Sequence, residues 1–197
     1  KKLMVGFNRR FSPLANEIKS FLTGRITPLV MNYRVNAGYI PKEHWTQDKE
    51  IGGGRIIGEI CHFVDFFQFL TDSYPETVFA SSIGGSIGKY IEDDNVCITI
   101  GFKDGSVGSI VYTAKGSKVF SRERVEVFCE DSVVVLEDFK KLQLIRGAKK
   151  KTIRKFSQDM GYKGELDRFF GSRDRDDKLF EGYLYTAIAM FGAVESL

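Results

Sequence analysis

The chain has 197 residues, of which 43% are hydrophobic and 28% are charged. This balance is typical of a globular domain that buries a substantial core. The formal net charge of +3 is too small to indicate a nucleic-acid or membrane partner. We find no apolar run of the roughly 18 residues that a membrane span needs, and no signal-peptide pattern at the N-terminus.

Three cysteines, Cys61, Cys97 and Cys129, lie in separate apolar stretches. An odd number of isolated cysteines does not make a disulfide framework. We therefore expect three buried free thiols, which are typical of a reducing compartment, and a cytoplasmic protein.

The first third of the chain predicts a helix, a strand and a second helix. Ser12 and Pro13 are typical of a helix start, and Gly24 of a helix end. Alternating side chains predict a strand over residues 26–39. After a loop and a glycine triplet, a mostly apolar helix is predicted over residues 52–72.

The rest of the chain predicts mainly strands, followed by a polar stretch over residues 157–177 and a helix over residues 179–197. The predicted strands cover residues 77–82, 95–102, 107–114, 124–129, 132–136, 141–146 and 151–156. The last helix carries an apolar stripe made of Leu184, Ile188, Phe191 and Val194. Because short turns join consecutive strands, we predict an antiparallel sheet with helices packed on one face, the α+β class.

The helix over residues 52–72 carries ionisable side chains on one side of an otherwise apolar surface. At about 100° per residue, the stripe consists of Arg55, Glu59, His62 and Asp65. His62 is one of only two histidines, and imidazole suits proton transfer near neutral pH. Two interpretations stay open: a functional site, or simply the solvent-facing side of the helix.

Two glycine-rich segments resemble phosphate-binding loops, but neither predicts one. In residues 84–89 the spacing is one residue short of a P-loop, and Tyr90 replaces the Ser or Thr that binds magnesium. Residues 52–58 do not follow a buried strand within a βαβ unit. No metal site is predicted either, although Glu59 and His62 at i, i+3 could supply two ligands.

A basic run lies on or beside the last predicted strand. It consists of Lys149, Lys150, Lys151, Arg154 and Lys155. The main interpretation is a solvated edge strand, since lysines protect edges from pairing. A phosphate-binding face is the minor alternative.

Several short motifs together carry a resemblance to one family. They are Val5-Gly6-Phe7-Asn8-Arg9-Arg10-Phe11-Ser12-Pro13, Tyr33-Arg34-Val35-Asn36-Ala37-Gly38, His44-Trp45 with Asp48, Gly52-Gly53-Gly54, His62 with Asp65, and Ala193-Val194-Glu195-Ser196-Leu197. In this order and spacing they resemble the C-terminal domain of the glucose-fructose oxidoreductase/inositol dehydrogenase (Gfo/Idh/MocA) family, over nearly the whole chain.

The resemblance implies a large open, predominantly antiparallel sheet and an N-terminal Rossmann domain that is missing from this chain. Residues 1–10 would be the remnant of its last strand, and residues 11–197 the substrate-binding and oligomerisation domain. NAD or NADP is expected in the full-length parent, and neither a cofactor nor a metal is expected on this fragment. The expected partners are a sugar-like small molecule, the Rossmann domain and further copies bound through the sheet face.

Carried over to this sequence, the family's catalytic histidine is His62, which would act on the substrate hydroxyl. Many members have an aspartate four residues earlier, where this chain has Gly58. Glu59 would then be the second catalytic residue and orient His62, or it would point elsewhere.

Six further residues are candidates for substrate binding: Arg10, Arg34, Asn36, His44, Trp45 and Asp65. For Arg34 and Asn36 the alternative is a polar outer sheet face. Trp45 would otherwise anchor its loop by packing, and Asp65 would pair locally with polar groups.

The sequence leaves two functional hypotheses. The leading one is the substrate-binding C-terminal domain of an NAD(P)-dependent oxidoreductase that acts on a sugar, cyclitol or nucleotide-sugar hydroxyl and is inactive without its Rossmann domain. The alternative is a non-catalytic binding or scaffolding module that assembles through its open sheet face. Glycine at position 58 slightly favours the alternative.

Overall fold

The structure, a computed structural model, describes residues 3–86, 88–171 and 177–197. Its strands form one eight-stranded, mostly antiparallel open sheet with helices against one face, so the predicted α+β class is confirmed. The strands are β1 (Val30–Asn36), β2 (Pro75–Ser82), β3 (Asn95–Phe102), β4 (Val107–Thr113), β5 (Glu123–Cys129), β6 (Ser132–Glu137), β7 (Lys141–Arg146) and β8 (Lys149–Arg154).

The strand order across the sheet is β2-β3-β4-β1-β5-β6-β7-β8. Strand β1 lies in the middle, parallel to β4 and antiparallel to β5. Turn signals predict only the pairing of consecutive strands, so this insertion was not foreseen. Its physical basis is burial, because Met31, Tyr33 and Val35 on one face of β1 are at most 2% exposed.

The helices are α1 (Pro13–Leu22), α2 (Cys61–Thr71), α3 (Tyr162–Gly171) and α4 (Asp177–Glu195). Helix α1 begins at Pro13, as predicted, and α2 ends beside Asp72, whose left-handed φ of 56° stops the helix. Helix α3 lies in the polar stretch, where the sequence predicted no helix. It has no buried residue, which explains why an apolar pattern gave no signal.

The core lies between α2 and the sheet and is rich in aromatic rings. Tyr33 of β1 contacts the rings of Phe63, Phe66 and Phe67 at centroid distances of 4.7, 5.8 and 6.1 Å. All four side chains are fully buried, and burial of one such ring contributes about 1.5–3 kcal/mol. This packing fixes the N-terminal end of α2 beside one end of the central strands.

Two apolar surfaces remain exposed. The face of the sheet opposite the helices carries Val30, Phe79, Val107, Val111 and Phe128. On α4 the predicted stripe of Leu184, Ile188, Phe191 and Val194 points to solvent. Helix α4 packs on β2 and α2 with its other side, which carries Tyr183, Ala189, Met190 and Ala193.

The prediction of three buried thiols was wrong for Cys97. All three cysteines are free, but Cys129 is buried, Cys61 half-buried and Cys97 exposed. Because Val96 and Ile98 take the core-facing positions of β3, the alternation directs Cys97 outward. No helix in the described ranges has both the length and the apolar character to cross a membrane.

Candidate functional site

A π-helical turn over Ile56–Ile60 precedes α2 and carries Glu59. Such turns are rare and occur frequently at functional sites. The loop enters the turn through Gly53 and Gly54, whose φ angles of 72° and 71° favour glycine. A Cβ atom on Gly58 would lie 3.0 Å from the carbonyl oxygen of Gly52. A side chain at position 58 would therefore require the loop backbone to shift by a few tenths of an ångström.

Glu59 is held by three donors at this end of the sheet. Its carboxylate accepts hydrogen bonds from Arg55 Nε at 2.9 Å, the Tyr112 hydroxyl at 2.6 Å and Arg122 Nη2 at 2.7 Å. Burial alone would raise the pKa of Glu59, but Arg55, Tyr112 and Arg122 together lower it. The Glu59 carboxylate is therefore ionised at neutral pH.

His62 lies one turn further along and is half-buried. Its ring packs edge-on against Phe7, with 5.4 Å between centroids. Within the described residues the buried Nδ1 of His62 has no hydrogen-bond partner. Burial lowers the pKa of His62 to about 4, and the charge of Arg9 adds to this, while Glu59 and Glu123 act in the opposite direction. The imidazole is therefore neutral at pH 7, and the low pKa makes it a weaker base than an ordinary histidine.

A buried ion pair lies close behind His62. Arg9 donates to Glu123 through Nε at 2.9 Å and Nη2 at 2.7 Å, and the Tyr33 hydroxyl donates to the same carboxylate at 2.5 Å. Arg9 is 7% exposed, Glu123 2% and Tyr33 0%. The Arg9 guanidinium also lies over the Phe63 ring, 4.8 Å from its centroid. This network ties the 3₁₀ turn Asn8–Phe11 to the start of β5.

Asp65 is directed away from Glu59 and pairs with Arg10. Arg10 binds its carboxylate through Nε at 2.8 Å and also through Nη2. Burial raises the pKa of Asp65 to about 6, against the opposing effect of Arg10. Since Arg55 is 3% and Asp65 0% exposed, the ionisable stripe is not a solvent-facing surface. It divides into two buried clusters, with His62 between them in the sequence.

Arg34 and Asn36 do not contact His62 or Glu59. Arg34 donates to the carbonyl and hydroxyl of Ser121 and lies over the Phe120 ring, 4.5 Å from its centroid. Asn36 donates to the carbonyl of Ser117 at 2.7 Å. Both positions alternate with the core-facing residues of β1, which is consistent with the outer-face alternative for Arg34, whereas Asn36 is only 8% exposed at the end of the strand.

His44 and Trp45 lie on an exposed loop. His44 Nδ1 is 2.9 Å from the Thr46 hydroxyl, and the centroids of the His44 and Trp45 rings lie 5.9 Å apart. Trp45 is 62% exposed, so it does not anchor the loop by packing. The loop is instead seated on Gly52, where a Cβ would lie 2.5 Å from the Trp45 carbonyl oxygen. Through Gly52 it adjoins the π-helical turn.

Sequence reasoning missed most of the residues that surround His62 and Glu59. Arg9, Tyr33, Tyr112, Arg122 and Glu123 come from four separate segments. One available signal was the i, i+4 spacing of Arg55 and Glu59, which is that of a helical ion pair. Most of the other residues are brought together by the pairing of β1, β4 and β5, which the sequence did not predict.

The described residues contain neither the strand–turn–helix unit of a dinucleotide site nor a cluster of metal ligands. The glycine triplet at residues 52–54 leads into a helix between the parallel strands β1 and β4, but it does not directly follow a strand. Residues 37–51 separate it from β1, and β2 and β3 intervene before β4, so the βαβ unit of a dinucleotide site is absent from the described residues. Across the described ranges, no three His, Cys, Asp or Glu side chains are grouped to hold a metal ion. Burial also raises the pKa of the Cys61 thiol to about 12, which makes it a poor nucleophile.

Comparison with known families gives one match. Residues 14–135 match the family described as GFO/IDH/MocA C-terminal domain. None of the curated proteins matches the sequence.

The fold is similar to that of solved oxidoreductases. Levoglucosan dehydrogenase in complex with NADH and levoglucosan is 19% identical, with a TM-score of 0.74 over 98% of this chain and 63% of its own. An oxidoreductase domain protein from Kribbella flavida is 15% identical, with a TM-score of 0.77 over 99% and 64%. UDP-N-acetylglucosamine 3-dehydrogenase from Acidithiobacillus ferrooxidans is 14% identical, with a TM-score of 0.75 over 100% and 61%. This chain thus spans less than two thirds of these structures.

Proposed function

Because this chain belongs to the GFO/IDH/MocA family of oxidoreductases, we propose that it is the substrate-binding C-terminal domain of an NAD(P)-dependent dehydrogenase. The substrate would be a sugar, cyclitol or nucleotide sugar that is oxidised at a hydroxyl. In this proposal residues 1–10 end a preceding Rossmann domain, which holds NAD or NADP in the cytoplasmic parent enzyme. The supporting observation is His62, a neutral imidazole at the edge of a charged, buried network.

The chemistry requires a proton acceptor. Oxidation of a hydroxyl to a carbonyl removes a proton from oxygen and a hydride from carbon, and a bound nicotinamide supplies the hydride acceptor in such enzymes. In this proposal His62 takes the proton in the transition state, where the developing imidazolium needs stabilisation because burial and Arg9 hold the pKa of His62 near 4. The ionised Glu59 nearby stabilises the imidazolium that forms. The ion pair of Arg10 and Asp65 joins the 3₁₀ turn Asn8–Phe11 to α2. His44 and Trp45 remain candidates for substrate contact.

A titration of the chain itself tests this proposal. Levoglucosan and UDP-N-acetylglucosamine are added separately. At least one of these hydroxyl compounds should bind beside the imidazole and shift the ring signals of His62 in an NMR spectrum. NADH should give no saturable shift. With only two histidines in the chain, the ring signals are readily resolved.

The matched variants are His62→Ala and His44→Ala. For both variants the response is followed through the backbone amide signals of residues 55–65. The first variant should abolish the response to the sugar, and the second should weaken it at most. Saturable NADH binding, or sugar-induced shifts that survive His62→Ala unchanged, would contradict the assignment.

The alternative function, a scaffolding module, would use the outward face of the sheet. The outward sheet face exposes Phe79, Val111 and Phe128 at 64%, 37% and 43%, and contiguous apolar patches mark interaction surfaces. We propose that copies of the chain associate through this face in either function. A scaffold would associate in this way without any ligand response at His62.

Analytical ultracentrifugation tests that association. Phe128→Glu on the outward face should weaken self-association by about tenfold or more, because it places a charge in an apolar contact. Phe170→Glu on α3, a site 78% exposed and away from this face, is the control. Equal sedimentation of both variants and the parent chain would exclude the sheet face.

A further inference from the structure

The edge strand β8 concentrates positive charge far beyond the chain as a whole. Residues 146–155 contain no acidic residue and six cations: Arg146, Lys149, Lys150, Lys151, Arg154 and Lys155. These six positive charges exceed the net charge of +3 for all 197 residues. Within the described residues, the salt bridge to this group of cations is that of Glu17, whose carboxylate oxygen lies 3.5 Å from Lys151 Nζ. Protection of an edge needs far fewer charges than this.

An apolar groove runs beneath this strand, between β8 and α1. It has a volume of about 490 Å³, and its floor consists of Phe21 and Leu144. Arg146 lies over the Phe21 ring, 4.4 Å from its centroid, and donates to the Phe21 carbonyl. Lys149 and Lys151 lie on the groove side of β8, opposite Arg146 and Leu144 of β7, while Lys150 lies on the other side.

Strand β8 is also the last in the sheet order, so its outer edge has no partner strand in the described part of the chain. Such an edge presents unpaired N–H and C=O groups along its length. These groups accept an extended peptide as an added strand, and side-chain pockets select its residues.

From these features we propose that β8 and the groove bind an extended segment of a partner protein in which acidic and apolar residues alternate. Backbone pairing to the edge positions the segment, its apolar side chains face the groove and pack on Leu144 beside Phe21, and its acidic side chains alternate to the other face, where Lys150 and Arg154 lie. A phosphate ligand would leave this apolar floor without a function. A second copy of the chain would place six further cations against this edge. Single-stranded nucleic acid would lack a free stacking surface, because Arg146 already covers Phe21.

The probe is a fluorescein-labelled heptapeptide of alternating glutamate and valine, followed by fluorescence polarisation on the full chain. Lys149→Glu/Lys150→Glu should weaken binding by about tenfold or more. The control Lys42→Glu/Lys118→Glu makes the same charge change at exposed positions elsewhere and should leave the affinity within about twofold. A peptide N-methylated at alternate residues along its pairing edge should not bind.

Hydrogen exchange gives an independent readout. Peptide binding should slow the exchange of backbone amides within residues 149–154, which a purely electrostatic contact of side chains would not do. The proposal is overturned if the peptide does not bind, if the two double variants bind equally, or if N-methylation has no effect. Displacement of the peptide by poly(U) RNA or phosphatidylserine vesicles, with no amide protection at β8, would also overturn it.

Discussion

In an NMR pH titration of the folded chain, the His62 ring signals should change with a midpoint near pH 4, well below the ordinary value of 6.5. Burial of the imidazole disfavours its charged form, and the cationic Arg9 adds to this effect. A His62 midpoint near or above 6.5 would mean that the ring lies in a solvated or acidic environment.

The shift also predicts how stability depends on pH. Because the pKa of His62 is lower in the folded than in the unfolded chain, the unfolded state binds more protons between pH 6.5 and 4. The free energy of unfolding contributed by neutral His62 is therefore fully present above pH 6.5. It is lost as the pH falls toward 4, by about 2–3 kcal/mol in total.

Protonation of Asp65 has the opposite effect on the free energy of unfolding within part of this pH range. Its pKa is raised to about 6, so the folded state binds the extra proton and this term gains stability as the pH falls from about 6 to 3.8. A plain stability profile would mix both effects. Urea unfolding of the chain and of His62→Gln at pH 7 and pH 4.5 separates them, since Asp65 is common to both. The variant should lose less stability on acidification; equal losses would show that His62 does not titrate as described.

How much of the fold the sequence predicts depends on how far apart in the chain the contacting residues lie. Local signals were sufficient for α1, where Ser12 and Pro13 define the start, and for the antiparallel strands joined by short turns. The same signals could not place β1 between β4 and β5, because that pairing joins residues far apart in the chain. Nor could they find α3, whose contacts leave every residue at least partly exposed.

The candidate site follows the same division. His62, Glu59 and Asp65 were identified from helical spacing, a local property. Their partners were not, because Tyr112 and Arg122 reach Glu59 from β4 and the start of β5. The π-helical turn was also missed, since a glycine-rich approach to an apolar helix does not distinguish a π from an α turn.

The second large effect is expected at the Arg9–Glu123 pair. Arg9→Met alone, or Glu123→Gln alone, should lower the free energy of unfolding by about 3–5 kcal/mol, because each leaves a buried charge without its partner. The double variant Arg9→Met/Glu123→Gln removes both charges and should lose markedly less than the sum of the single changes. Urea denaturation of the four proteins gives the coupling energy directly.

A surface pair on the same strand is the matched control. Arg124 and Glu126 lie 2.8 Å apart, but their side chains are 37% and 27% exposed. Arg124→Met should therefore cost about 1 kcal/mol or less. If Arg9→Met and Arg124→Met cost the same, the buried pair does not hold the turn at Asn8–Phe11 against β5.

The same variants connect this pair to the proposed proton acceptor. Arg9 lowers the pKa of His62 and Glu123 raises it, so their effects on the NMR midpoint should be opposite in sign. Arg9→Met should move the His62 midpoint upward, and Glu123→Gln should move it further down. Arg124→Met should leave it in place. If both core variants shift the His62 midpoint in the same direction, the shift reflects loosened packing around His62. Opposite shifts would show that the charges of Arg9 and Glu123 set the pKa of His62.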